Sequence, residues 1–197
     1  MTFTGRGGKH SGPIPAQALP ETDTQKIAHA QRDRSLFLVT EKGKADIQDA
    51  LFRITQDDRK ERLNGAVILK KLRSGKSFTP ILEAVEKEQD KEVKLQLLKA
   101  LCATSRARDV EKPLNMVERL ENLILTEVAG TDSAETDMLI ARQAAIALYL
   151  HGPHDRSDGL AYMIRIRDQA EEAHGKEHAI SRGIAVAISH LLTSDEI

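Results

Sequence analysis

A chain of 197 residues with 29 Lys and Arg against 30 Asp and Glu carries a net charge of -1, which excludes a global field steering it toward nucleic acid or anionic lipid. Hydrophobic residues at 40% and charged residues at 30% fit a polar chain that folds, while 3% aromatic content with no Trp disfavours binding built on stacking platforms. The single cysteine, Cys102, excludes an intramolecular disulfide and fits a reducing cytoplasm, and the longest apolar run, Ala144 to Leu150, falls far short of the roughly 20 residues that span a bilayer.

Residues 1–22 hold Gly and Pro with scattered apolar groups, the composition of a flexible tail. No apolar stretch of signal-peptide length opens the chain, so secretion by the usual signal is not expected. From Asp23 a leading helix is expected, capped by Asp23 or Thr24 and carrying Ile27, Ala30, Leu36 and Leu38 on its apolar side. Beyond Lys42 the pattern becomes regular. Amphipathic segments of 12 to 20 residues are separated by Gly, Pro or Asp signals, and no run of alternating β-branched residues suggests a strand. The chain is expected to be all-α.

The segments come in pairs, and the second member of each pair repeats one spacing: an acid, then apolar or small residues three, seven, ten and eleven positions on. The clearest copy is Asp90, Val93, Lys94, Leu97, Ala100, Leu101. Others are Asp137, Ile140, Ala141, Ala144, Ala147, Leu148, then Glu177, Ile180, Ser181, Ile184, Ala187, Ile188, and an earlier copy Asp58, Glu61, Arg62, Gly65, Ile68, Leu69. The first members are expected at Ala45–Ile54, Phe78–Glu88, Pro113–Val128 and Ser157–Ala173. The acid caps a helix and suits the positive end of its dipole. The apolar positions form one stripe, and small residues such as Gly65, Ala100 and Ala144 admit a close neighbour. One pair cannot bury such a stripe, whereas stacked pairs share a continuous core.

On these copies, about residues 45 to 192 resemble the HEAT-repeat superfamily. The resemblance implies a short right-handed α-α superhelix of about four hairpins behind the leading helix, a domain over 23–197. It also implies a solenoid surface that binds proteins or, in some members, nucleic acids. The copies depart from the family pattern at Glu61, where an apolar residue is expected, and at Ala141 and Ser181, where a basic one is.

Gly75, Lys76 and Ser77 end like a phosphate-binding loop, but Lys70 stands where that loop needs its first Gly and the stretch follows a helix. Ser74 and Gly75 therefore read as a helix stop. His151 with His154, and His174 with His178, have metal-ligand spacing, yet a helix of about 24 Å separates the pairs. Surface or loop histidines are expected, and no metal. Cys102 follows an apolar stripe and reads as a buried, inert thiol. Iron hydroxylases of the resembled superfamily carry His-Glu pairs that this chain lacks, and its DNA glycosylases rely on aromatic side chains. With no catalytic constellation and no cofactor motif, a non-catalytic role is expected.

Charge is uneven along the chain. Asp58 to Arg73 holds six cations against Asp58 and Glu61, and Asp90 to Arg108 holds five against Asp90 and Glu92. Phe78 to Glu88 leans acidic through Glu83, Glu86 and Glu88. The expectation is a scaffold or adaptor whose second helices line one face, basic in the N-terminal half. Arg59, Arg62, Lys70, Lys94 and Lys99 would there meet a protein partner with an acidic segment. Phosphate contact with nucleic acid is the alternative use of the same ridge, and a bilin-lyase-like enzyme is the alternative that the resemblance adds.

Overall fold

A computed structural model describes residues 40–107, 109–126, 134–152 and 156–193. The expected tail at 1–22 and the leading helix from Asp23 lie outside the described residues. These hold eight α-helices and no strand: α1 Glu41–Arg53, α2 Arg59–Leu72, α3 Phe78–Lys87, α4 Lys91–Ala103, α5 Met116–Thr126, α6 Ala134–His151, α7 Arg156–His174 and α8 Ala179–Thr193. No helix among them is long and apolar enough to cross a membrane.

Two of the four expected acid caps form, at Asp58 and Asp90, and Thr40, which the sequence did not single out, caps α1. Thr40 Oγ1 accepts from Gly43 N at 3.0 Å, Asp58 from Lys60 N at 2.7 Å, and Asp90 from the amides of Glu92 and Val93 at 3.1 and 3.0 Å. Two caps differ from expectation. Helix α6 begins three residues before Asp137, which therefore sits buried in its first turn. Helix α8 starts after His178, whose Nδ1 accepts from Ile180 N at 3.4 Å, so Glu177 is not the cap.

Odd and even helices form two layers. Each odd helix packs on the even helix that follows it, and the even helices contact one another in succession, α2 with α4, α4 with α6 and α6 with α8. Ile81, Leu82, Leu97, Leu101, Ala144, Leu148, Ile184 and Ala187 fill one core between the layers, all at most 2% exposed. Small residues set the closeness of approach. A Cβ on Gly65 would lie 2.8 Å from both Ala50 O and Ile54 Cγ2, so α1 crosses α2 at backbone contact. At Gly183 the imagined Cβ would stand 2.5 Å from Met138 O, and α8 seats against α6 equally tightly.

Polar pairs stitch the odd layer. Arg119 bonds Glu86 through Nε and Nη2, each at 2.6 Å, joining α5 to α3. Glu121 accepts from the Tyr162 hydroxyl and lies 3.9 Å from Arg165, joining α5 to α7.

Candidate partner-docking face

Counting each repeat's acid (Asp58, Asp90, Asp137, Glu177) as position 1 sorts the even-helix residues by environment. Position 5 holds Arg62, Lys94, Ala141 and Ser181, none of them exposed and three buried. Positions 3, 6, 10 and 14 are exposed or half-buried in all four copies. They comprise Lys60, Glu92, Leu139 and Ala179, then Leu63, Leu95, Arg142 and Arg182, then Val67, Lys99, Ile146 and Val186, and lastly Lys71, Ala103, Leu150 and His190. Spacings of three and four residues put these positions on one side of each helix, so the even layer presents one continuous face to solvent.

The five sequence-predicted cations divide on this frame. Lys99 lies on the face and Lys70 is exposed beside it, each with no ion pair to a described residue. Arg59 and Arg62 lie instead in the joint between α2 and α4. Arg59 Nε bonds Asp90 at 2.7 Å and its Nη2 bonds Glu92. Arg62 Nε bonds Glu88 at 2.7 Å, and its Nη1 donates to the carbonyls of Gln56 and Asp57. Lys94 is buried at 6% exposure and is not free. The expectation that all five meet a partner on one face is therefore corrected at Lys94, which is buried, and Arg59 and Arg62 are engaged within the fold.

A ladder results at the leading ends of the even helices. The cation after the acid of one copy meets the acid of the next: Arg59 with Asp90, and Lys91 with Asp137 at 2.9 Å. Burial opposes ionisation of Asp90, but the Val93 amide and the Arg59 guanidinium outweigh it and hold the carboxyl below its usual range. In the third copy Met138 holds the cation position, and the ladder ends.

Along the face charged and apolar side chains are mixed, with Leu63, Val67, Leu95 and Glu92 beside the lysines of α2 and α4, and Arg142 and Arg182 beside the apolar residues of α6 and α8. Lys60, Lys71 and Lys99 occupy it on α2 and α4, while Leu139, Ile146 and Leu150 occupy it on α6 and Val186, 40% exposed, on α8. Among them Arg142 is half-buried, and its Nε is buried without a hydrogen-bond partner among the described residues. The charge sums along the sequence did not point to this residue. The signal for it is the repeat register, which sets Arg142 opposite Leu63, Leu95 and Arg182.

The remaining candidates are structural. His151, expected at the surface or in a loop, ends α6 and is interior at 1% exposure. Its Nε2 lies 3.0 Å from Leu101 O and 3.4 Å from Thr104 Oγ1, its ring tilts against Phe78, and burial pushes its pKa down to about 4. His154 lies outside the described residues. The His174 and His178 rings stack at 4.8 Å, and no group of three His, Cys, Asp or Glu able to hold a metal occurs among the described residues. Cys102 is only partly buried as a residue, but desolvation of its sulfur pushes the thiol up to about 12, opposed by a 3.0 Å bond from Gln143 Nε2. Arg73, at φ 54°, takes the left-handed position that ends α2, and Gly75 to Ser77 then form one 3-10 turn with Asp109 lying against Gly75. An open groove of about 530 Å³ lies on the odd layer, lined by Leu51, Ile54, Pro80 and Ala84, with the Arg62–Glu88 pair at its side. Comparison of the chain with protein-family models, curated proteins and solved structures finds no match in any of the three.

Proposed function

We propose that the chain is a non-catalytic adaptor, a short HEAT-like right-handed solenoid in the cytoplasm that docks a protein partner on its even-helix face. The carrying observation is the division of cations. Those in the joints are neutralised by the fold, whereas Lys60, Lys70, Lys71 and Lys99 stand on or beside the open face with no ion pair to a described residue. Unspent positive charge next to half-buried apolar side chains suits a protein surface carrying acidic residues. The succession of even helices, each touching the next, supports the solenoid reading.

The test is capture of partners by tagged full-length chain from its own cells, with and without nuclease, beside a Lys70→Glu, Lys71→Glu, Lys99→Glu variant. A stoichiometric protein partner that resists nuclease and is lost by the variant is the expected result. Partners that vanish with nuclease would turn the same cations into phosphate contacts. Partners held equally by the variant would remove the face from the proposal.

A further inference from the structure

Arg142 is the feature of this face that internal packing leaves least accounted for. A buried guanidinium N–H without an acceptor is a costly arrangement, and buried donors are almost always paired. Arg142 Nε has no acceptor among the described residues. Its neighbours do not supply one. Leu139 and Ile146, three residues before and four after it on α6, flank it on the face, and Gln143, next in sequence, donates to Cys102 on α4. The acid of the same repeat, Asp137, is buried against Lys91. On the far side α8 adds Arg182 and Val186, and on the near side α4 adds Leu95 and Lys99. Around Arg142 the face therefore carries three cations among apolar side chains. Its described acids stand at the leading edge, where Glu92 is held by Arg59, Glu135 lies in the first turn of α6 and Glu177 precedes α8.

We propose that the face centred on Arg142 receives an acidic amphipathic segment of a partner protein, with a carboxylate of that segment meeting the half-buried Arg142 guanidinium. The segment's apolar side chains lie on Leu139, Ile146 and Val186, and Lys99 and Arg182 meet further acids at either side. Charge complementarity selects this occupant, because a basic segment would bring like charges onto three cations. A carboxylate against a guanidinium makes a short, charge-assisted bond, and Arg142 is a guanidinium to which the described residues supply no acceptor at Nε. Crossing α4, α6 and α8 at interaxial spacings of about 8 to 10 Å needs roughly 20 Å, or about 14 residues of helix. The inference rests on the docking reading above and names the partner chemistry of that same face.

Selection of a displayed random 16-residue peptide library on the full chain tests it directly. The expected binders share an Asp or Glu flanked at three or four residues by Leu, Ile or Phe. A synthetic consensus peptide should then bind Arg142→Gln at least about tenfold more weakly than the native chain, with part of the loss restored in Arg142→Lys. Glu→Gln in the peptide should cost the same factor, and combining the two changes should cost no more than either alone. Titration with the peptide should also move the Arg142 Nε–Hε resonance in ¹⁵N spectra. Binders without an acid, equal affinity for Arg142→Gln, an Arg142 resonance that stays in place, or no enrichment at all would each overturn the proposal. If native partners are lost in the triple Lys→Glu variant while Arg142→Gln binds normally, this inference fails and the docking reading stands. A chain that captures no protein from its cells removes the docking reading itself.

Discussion

Between α2 and α4 the joint is edged by charge, with Arg59 on Asp90 and Glu92 and Arg62 on Glu88. Between α6 and α8 it is backbone against backbone, with Gly183 seated on the Met138 carbonyl and the Ala141 methyl. The two joints connect equivalent helices in the same order along the chain, so a repeated backbone plan does not impose one kind of adhesion. Charge tolerates imprecise fit and answers to salt, whereas close contact answers to volume. The middle joint adds a third kind, a neutral histidine at the end of α6 bonded to the end of α4.

Acid is the sharpest probe of that middle joint. His151 has a folded pKa of about 4 against an ordinary value of 6.5, so the fold prefers the neutral ring. Above pH 6.5 neither state binds the proton and nothing is lost. As pH falls below 6.5 the unfolded chain takes up the proton and the folded chain does not, so this contribution is lost progressively until about pH 4. The loss totals about 3 kcal/mol. Urea unfolding at pH 7, 5.5 and 4.5 should follow that slope, and His151→Gln should flatten it. An unchanged slope in the variant would move the acid sensitivity to carboxylates such as Asp90.

Volume is the probe of the last joint. Gly183→Ala places a methyl group 2.5 Å from a carbonyl that cannot swing away, and should destabilise by about 2 kcal/mol, although Ala favours a helix interior by roughly 1 kcal/mol. The effect should be the same at low and high salt. Stability equal to the native chain would show that α8 can lift from α6 without loss.

At the first joint the two arginines should separate. Arg62→Met leaves Glu88, 6% exposed, with only the Gln89 and Asp90 amides, and should cost about 1 to 2 kcal/mol with little salt dependence. Arg59 is 48% exposed, so Arg59→Gln should cost less than Arg62→Met in dilute buffer and less again in 1 M salt. Equal losses with equal salt response would dissolve the distinction between a solvated and an enclosed pair.

The helices and their stacking faces were legible in the sequence because an acid followed by apolar residues at helical spacing carries both the cap and the buried stripe. The even helices extend two to five residues beyond the quoted copies, where Lys70 to Leu72, Tyr149 to His151 and Ser189 to Thr193 continue them. The candidate face was legible only in part. Summing charge over a segment hides register, and Arg62 and Lys94 share a position with Ala141 and Ser181, whose smallness already marks it as interior. Lys99 survives that test and Lys94 does not. The orphan at Arg142 could not be read from the chain, since it depends on Gln143 turning to Cys102 and on how closely α8 approaches at Gly183.

The ladder that stops at Met138 also sets how the molecule yields to a load. Coulomb attraction between Arg59 and Asp90 declines gently as the groups separate, while contact repulsion at Gly183 climbs steeply over a few tenths of an ångström. A bending load across the even helices would therefore be taken up first between α2 and α4 and resisted most at the α6–α8 contact. Raising ionic strength lowers the spring constant at one end of the stack alone.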